Sequence, residues 1–486
     1  MKLKISTYCT TLLSGLALSG MMFPVIASSQ NKREEKGPNL LFIFPDQFRV
    51  QAQGFVNEDP VFTPNIDRLA QQGIVFPNAV SNRPLSSPYR GMLLTGKYSF
   101  SNNLQTNCNT YSRKFGNYLR EEEICFSDVL NQNGYQCGYI GKWHLDAPSY
   151  AEGPDVNDWR EAVWEAYTPP GSNRHGFTFW HAYGCNNQHN DPYYWVNNAS
   201  VQDTLFARKW SPEHEADVAI EFIHTKRKDP WALFVSMNPP HGPYQEVPAR
   251  YRALYESMPV DSLLNRPNVP GGRKGEVGRK NVRDYFACVT GVDDQIGRIL
   301  KALDESGQSE NTIVIFTADH GEMMGSHGLL QKVVWYEESF RIPFIIRWPK
   351  KFRSGTNDLL LSVPDLMPTL LSLMGLEKHI PVDVEGRNYA EVFTGNSKEK
   401  PEFALYLNLE SGYEDPGGGM RGLRTDHYTF VIQKNKQGGT ANYLLYDNRN
   451  DPFQLKNIAT EHPDLIVELE GKLWPELKRI KDPWTN

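Results

Sequence analysis

Cysteine is scarce, six in 486 residues. Cys9 lies in the N-terminal apolar stretch, and the other five (Cys108, Cys125, Cys137, Cys185 and Cys288) are odd in number and match no paired C-x-x-C zinc pattern. A disulfide-dense scaffold and a cysteine zinc site are thereby excluded, while small buried thiols and a disulfide of unassigned pairing both stay open. There is no Lys/Arg-rich run, and 51 basic residues against 57 acidic ones leave a net charge of −6, which argues against a nucleic-acid binder. Beyond residue 26 no apolar run approaches the roughly 18 residues that a membrane span needs. No internal repeat is present, so solenoids and propellers are excluded, and 38 Gly and 33 Pro without a period exclude collagen-like or low-complexity sequence. With 40% apolar and 22% charged residues the chain is not disordered, and its length suits two to three domains.

What is present begins with a leader. Lys2 and Lys4 precede an apolar stretch from Thr10 to Ile26, and Val25-Ile26-Ala27 is a small-residue cleavage site followed at once by polar sequence. Residues 1–27 are therefore expected to be a Sec-type signal peptide, followed by a polar linker over 28–38. A catalytic domain is expected over 39–392 and a smaller C-terminal subdomain over 393–486. The mature protein is expected to be exported, periplasmic or secreted.

Four short apolar runs have the look of fully buried strands: Asn39 to Phe44, Tyr135 to Ile140, Trp231 to Met237 and Thr312 to Thr317. Helical patterns lie between them, at Asn65 to Gln72, Ser127 to Gln132 and Val292 to Ser306. This alternation predicts an α/β fold, a doubly wound and mostly parallel sheet flanked by helices. Ligands bind beyond the carboxyl ends of such strands, and each run carries its polar and ionisable residues there. Asp46 and Gln47 follow the first, Lys142 and His144 the second, His241 the third, Asp319 and His320 the fourth. Oxygen and nitrogen donors without a thiolate suit a hard divalent cation, Ca²⁺ with Mg²⁺ as the alternative. Lys142, His144 and His241 supply positive charge and proton transfer around an anion. In Ser86-Ser87-Pro88-Tyr89-Arg90-Gly91-Met92-Leu93-Leu94-Thr95-Gly96, a Pro near the start and a Gly at the end mark a helix whose N-terminus favours anions at Ser86. The last residues differ: Gly422 to Gln433 and Asn442 to Tyr446 alternate like antiparallel strands, and Asp464 to Ile480 is helical in pattern.

The segment Ser86 to Gly96 resembles the sulfatase signature [C/S]-x-P-x-R followed by x-x-L-x-T-G, here in its Ser form. Gly141-Lys142-Trp143-His144, Pro239-Pro240-His241-Gly242-Pro243-Tyr244, Asp319-His320-Gly321-Glu322 and the run from Gly325 to Lys332 match the same family in order. The resemblance, to formylglycine-dependent sulfatases of the alkaline-phosphatase-like superfamily, covers nearly the whole mature chain. It implies that Ser86 is oxidised to Cα-formylglycine, whose hydrate attacks sulfur and later collapses to the aldehyde. It implies a metal held by Asp46, Gln47, Asp319, His320 and residue 86, although many members carry Asp where Gln47 stands. Arg90 would orient the hydrate, Lys142 and Lys332 would neutralise sulfate oxygens, His241 would be the acid and His144 the base. A four-stranded antiparallel C-terminal subdomain with a helix is also implied. Maturation of a Ser-type site implies an anaerobic radical formylglycine-generating enzyme as partner, and a bacterial source.

For the substrate, Asn107 is a candidate pocket residue, with a loop-capping role as its alternative. Arg83, His189 and Arg421, with Asn186, Tyr193, Tyr194 and Trp195, sit in polar, aromatic-rich loops that are candidates for a sugar pocket. The expected substrate is a sulfated glycan. Two alternatives stand beside it: a phosphodiesterase or phosphonate monoester hydrolase of the same superfamily, and a non-catalytic glycan binder with unmodified Ser86.

Overall fold

The structure, a computed structural model, describes residues 37–409, 417–434 and 441–485. The expected leader and nearly all of the linker lie outside the described residues.

Ten strands form one sheet: β1 (Asn39–Ile43), β2 (Ile74–Val75), β3 (Gln136–Lys142), β4 (Phe177–Tyr183), β5 (Tyr193–Val196), β6 (Thr204–Phe206), β7 (Trp231–Ser236), β8 (Thr312–Thr317), β9 (Phe344–Arg347) and β10 (Gly355–Thr356). Their spatial order is β10-β2-β9-β8-β1-β7-β3-β4-β5-β6. The five central strands, β8-β1-β7-β3-β4, run parallel. β1 explains why this sheet is sandwiched. Leu40 and Phe42 enter one apolar core and Leu41 and Ile43 the other, all four fully buried. Each side chain removed from water in this way contributes roughly 1.5–3 kcal/mol, so no face of the strand can be left to solvent and helices cover both.

Helices α1 (Pro64–Gln72), α2 (Ser86–Thr95) and α3 (Phe126–Gln132) lie close to their expected places, whereas α4 (Ser211–His224) is a further helix that the sequence reading did not mark. The pattern at Val292 to Ser306 is the C-terminal part of a longer helix, Gly272–Glu305. Glycines at 272, 275 and 278 hide its beginning, because glycine is a poor helix former and blurs the periodic signal. In the C-terminal region β11 (Ala404–Asn408), β12 (Gly419–Arg424), β13 (Tyr428–Lys434) and β14 (Asn442–Asp447) form a separate antiparallel sheet in that order, with helix Pro463–Arg479. The alternating run from Gly422 to Gln433 is thus parts of two strands joined by a turn.

The five cysteines among the described residues are buried free thiols. No helix among the described residues is long and apolar enough to cross a membrane.

One backbone position sets the site directly. Gly141 has φ +94°, and a Cβ there would stand 2.1 Å from the Ser236 carbonyl of β7. Only glycine lets β3 close on β7 at the point where Lys142 leaves the sheet. Gly141→Ala is therefore expected to lower the melting temperature and impair the site. Gly471→Ala, in the open on the last helix, is expected to stabilise by roughly 0.5–1 kcal/mol. Thermal unfolding of both variants tests the contrast.

Candidate active site

The carboxyl ends of β1, β3, β7 and β8 meet the N-terminus of α2. Ser86 opens that helix, and its Oγ donates to Asp46 Oδ2 at 3.1 Å and lies 3.3 Å from His320 Nε2. The next residue locks the helix start. Ser87 N–H donates to Asn107 Oδ1, and Ser87 Oγ donates to the His144 carbonyl while accepting from Cys108 N–H. Asn107 thus caps the helix and also lines the pocket, combining both roles weighed for it.

Below Ser86 lies a crowd of charge shut away from water. Asp46, Asp319 and His320 are all fully buried. His320 Nδ1 donates to the Gly321 carbonyl at 3.0 Å, which turns the Nε2 lone pair inwards, 3.5 Å from both Asp46 Oδ1 and Asp319 Oδ1. Burial, and after it the Lys332 charge, holds His320 well below the ordinary histidine value. Burial also pushes Asp46 upward, but Lys142, His241, His320 and Lys332 together outweigh it and hold that carboxyl well below its usual range. Asp319 is pushed up to about 7 by burial and then by Asp46. Lys142 Nζ donates to Asp46 Oδ2 at 2.6 Å and to Asn238 Oδ1 at 3.2 Å.

Arg90 does not reach back to Ser86 through any hydrogen bond. Its guanidinium lies 3.4 Å from both Asp46 and Asp319 and donates to the Lys142 carbonyl, Ser236 Oγ and Tyr139 Oη. The fork fixes the two carboxylates and the end of β3 together.

Three acceptors (Asp46 Oδ1, Asp319 Oδ1 and His320 Nε2) thus face one another, and Asp46 Oδ1 has no hydrogen-bond partner. Asp46, Asp319 and His320 place one donor atom each within 4.8 Å of the others. A buried acceptor cluster of this kind is costly unless a cation fills it, and the donor types suit a hard divalent ion. Gln47, in the left-handed region at φ +66°, gives its backbone N–H to Asp319 Oδ1. Its side-chain Oε1 accepts from Lys332 Nζ at 2.6 Å, while Nε2 donates to Tyr244 Oη and Glu322.

Above this floor opens a pocket of about 500 Å³ lined by Ser86, Asn107, Lys142, His144, Trp164, Glu165, Asn186, Asn187, His241 and Lys332, among others. His241 Nδ1 donates to the Gly242 carbonyl at 2.7 Å, leaving Nε2 as the free ring nitrogen. Burial, then Lys332 and Lys142, push its proton off. His144 has φ +51°, and both of its buried ring nitrogens lack partners. Burial, Lys142 and Arg90 keep it neutral.

Three candidate sugar ligands are corrected. Arg421 is fully buried, ion-paired to Asp482 and stacked on Trp484, and does not line the pocket. Arg83 is buried, donating to the Gln105 and Leu407 carbonyls and to Asn408 Oδ1. His189 is buried too and braces the loop that carries His241 by donating to the His241 carbonyl at 2.9 Å. Tyr194 and Trp195 pack in a satellite apolar cluster, with Tyr193 against it. Only Asn186 of the loop set, with Asn107, reaches the pocket wall. Sequence reasoning passed over Glu322, visible in the Asp319–Glu322 run, and Asn238, visible at the end of β7. It also passed over Trp164 and Glu165, which no local pattern marks.

A mostly parallel sheet bearing a cation-ready carboxylate pair, surrounding lysines and a hydroxyl at a helix N-terminus defines a hydrolase of anionic esters. Comparison with known proteins narrows the class. The sulfatase family model matches residues 38–376, and the model of the N-sulphoglucosamine sulphohydrolase C-terminal region matches residues 325–482. The chain belongs to the sulfatase family. It is 40% identical to an endo-4-O-sulfatase of Bacteroides thetaiotaomicron, over 94% of this chain and 95% of that one. It is 33% identical to an ulvan-active sulfatase of Formosa agariphila, over 95% of this chain and 85% of that one. A solved structure concerned with glycosaminoglycan metabolism by Bacteroides thetaiotaomicron superposes with a TM-score of 0.85 at 39% identity, covering 93% of this chain and 98% of that one.

If the acceptor cluster is a cation site, Ca²⁺ at a hundredfold excess over its dissociation constant should stabilise the fold by about 2.7 kcal/mol. Chelation should reverse the gain, and Asp319→Asn should abolish most of it. Melting curves with and without Ca²⁺ check this; an equal Ca²⁺ response in wild type and variant would place the ion elsewhere.

Proposed function

We propose that this chain is an exported bacterial sulfatase that removes a sulfate ester from a carbohydrate polymer, using a Cα-formylglycine made from Ser86 and a bound Ca²⁺, with Mg²⁺ as the alternative. The observation that carries the reading is Ser86 Oγ at 3.1 Å from Asp46 and 3.3 Å from His320, on the floor of a pocket walled by two lysines and two histidines. The ion would be held by Asp46, Asp319 and His320, with the amide oxygen of Gln47 and residue 86. It would supply positive charge and Lewis acidity where the nucleophile meets sulfur. Formylglycine would supply a geminal pair of hydroxyls, one to attack and one whose proton loss lets the residue regenerate, a release route closed to plain serine.

The chain's own groups do the rest. Lys142 and Lys332 border the space in which the sulfuryl oxygens gather charge, and fixed cations in a dry pocket stabilise that charge. His241 presents Nε2 to the leaving oxygen because Nδ1 is committed to Gly242. Burial disfavours the protonated ring first, but a sulfate ester anion seated between the lysines offsets their charge and adds a negative one beside His241, which favours a proton on Nε2 for donation. His144, neutral and unpartnered, is the base for regeneration.

Relatives named endo-4-O-sulfatase and ulvan-active sulfatase support a glycan as the substrate class. We extend it here as a 4-O-sulfate within a glycan. Trp164, 36% exposed at the pocket wall, offers an aromatic face to a sugar ring. The leader directs export, and the Ser-type signature calls for an anaerobic radical maturation enzyme as partner.

His241→Ala should cut turnover of sulfated sugars about 10²-fold or more and that of 4-nitrophenyl sulfate far less, since nitrophenolate leaves without a proton. Equal losses would remove His241 from the acid role. In the same assays a phosphonate monoester preferred by orders of magnitude would replace the sulfatase reading with its phosphonate alternative.

A further inference from the structure

Lys332 enters the pocket from a backbone that its neighbours adopt only under constraint. Gln331 has φ +65° and Val333 φ +78°, and a β-branched residue in the left-handed region persists only where its surroundings hold it there. Two side chains from β11, in the other sheet, provide that hold. Tyr406 Oη donates to the Val333 carbonyl at 2.8 Å, and Asn408 Nδ2 donates to the same oxygen at 3.0 Å.

The direction of the Asn408 amide is set by a third residue. Arg83 Nη1 donates to Asn408 Oδ1 at 2.6 Å. A guanidinium can only donate, so the amide oxygen must face Arg83 and the NH₂ must face Val333. Arg83 precedes Ser86 by three residues and is pinned to the Gln105 and Leu407 carbonyls. Arg83, Tyr406 and Asn408 are 2%, 1% and 6% exposed, so water does not compete for these bonds. Tyr406 also packs edge-on against Phe340. One residue before the clamped carbonyl, Lys332 Nζ reaches Gln47 Oε1 at 2.6 Å.

We propose that Tyr406, Asn408 and Arg83 form a positioning clamp, through which the C-terminal sheet aims Lys332 at the sulfate. The clamp touches neither substrate nor cation; it acts through the Val333 carbonyl. This rests on the sulfatase reading, which makes Lys332 a sulfate-binding group. The bland alternative is that these bonds only tie two sheets together.

A double-mutant cycle separates the two. Tyr406→Phe removes one bond and keeps the ring, while Asn408→Asp keeps an acceptor for Arg83 but loses the donor to Val333. Each is made in the wild-type and Lys332→Ala backgrounds, and melting temperature, kcat and KM on a sulfated sugar, and affinity for inorganic sulfate by calorimetry are measured. In the wild-type background the paired variant should lose about tenfold in kcat and in sulfate affinity, equivalent to about 1.4 kcal/mol each, with Ca²⁺ affinity unchanged. In the Lys332→Ala background the same changes should cost nothing further. Equal losses in both backgrounds, or no loss in the first, would overturn the clamp. Should Asn408→Asp fail to fold, Tyr406→Phe alone carries the cycle with a smaller loss. A wild-type protein that neither hydrolyses sulfate esters nor binds sulfate would instead overturn the sulfatase reading, and the clamp's purpose with it.

Discussion

The rest of the molecule depends on three acceptors forced together in a dry place. Asp46, Asp319 and the Nε2 of His320 face one another, Asp319 is pushed up to about 7 by burial and by Asp46, and Asp46 Oδ1 is left unpartnered. Such a cluster survives folding only because cations surround it: Arg90 straddles the two carboxylates, Lys142 sits on Asp46, and Lys332 stands close by on Gln47. Breaking one member of a buried ionic set typically costs 3–5 kcal/mol. The same crowding makes the cluster a candidate cation site, with Ser86 against it and Lys142 and Lys332 lining the pocket above.

The sheet delivers these groups without bending to do so. Parallel strands buried on both faces end together, and whatever follows each one is gathered at the same edge. Loops then refine the placement. Asn238 takes hold of Lys142 from one side and of the Asn186–Asn187 turn from the other. Glu322 locks the Gln47 amide, and β11 reaches across to the Lys332 loop.

Much of this was legible in the amino-acid order. Strands buried on both faces are continuous apolar runs, and Asp46, Lys142, His241 and Asp319 stand immediately after them, so both the parallel sheet and the convergence of those residues could be read directly. Ser86 was legible because Pro88 and Gly96 punctuate its helix. The substrate wall was not. Arg83 and Arg421 look like pocket cations in sequence, but a buried guanidinium must be paired, and nothing local tells that the partner of Arg421 is Asp482, 61 residues away. Trp164 and Glu165 lie in irregular chain held by long-range contacts, Val163 N–H to Thr110 Oγ1 and the Gly184 and Cys185 N–H groups to Glu165. The early turns of helix Gly272–Glu305 were hidden by glycines, of which Gly275 and Gly278 serve close packing against the backbone at Pro270 and Gly325, a tertiary fact.

At the centre stands the claim that residue 86 is the reacting group of a cation-held centre and not a structural serine. Mass analysis of the peptide spanning residues 86–90, from protein made in its native host, tests this most directly. The account predicts a residue lighter than serine by two hydrogens, as the aldehyde requires. Serine found wholly unmodified would contradict it and leave a pocket that binds sulfate without cleaving it.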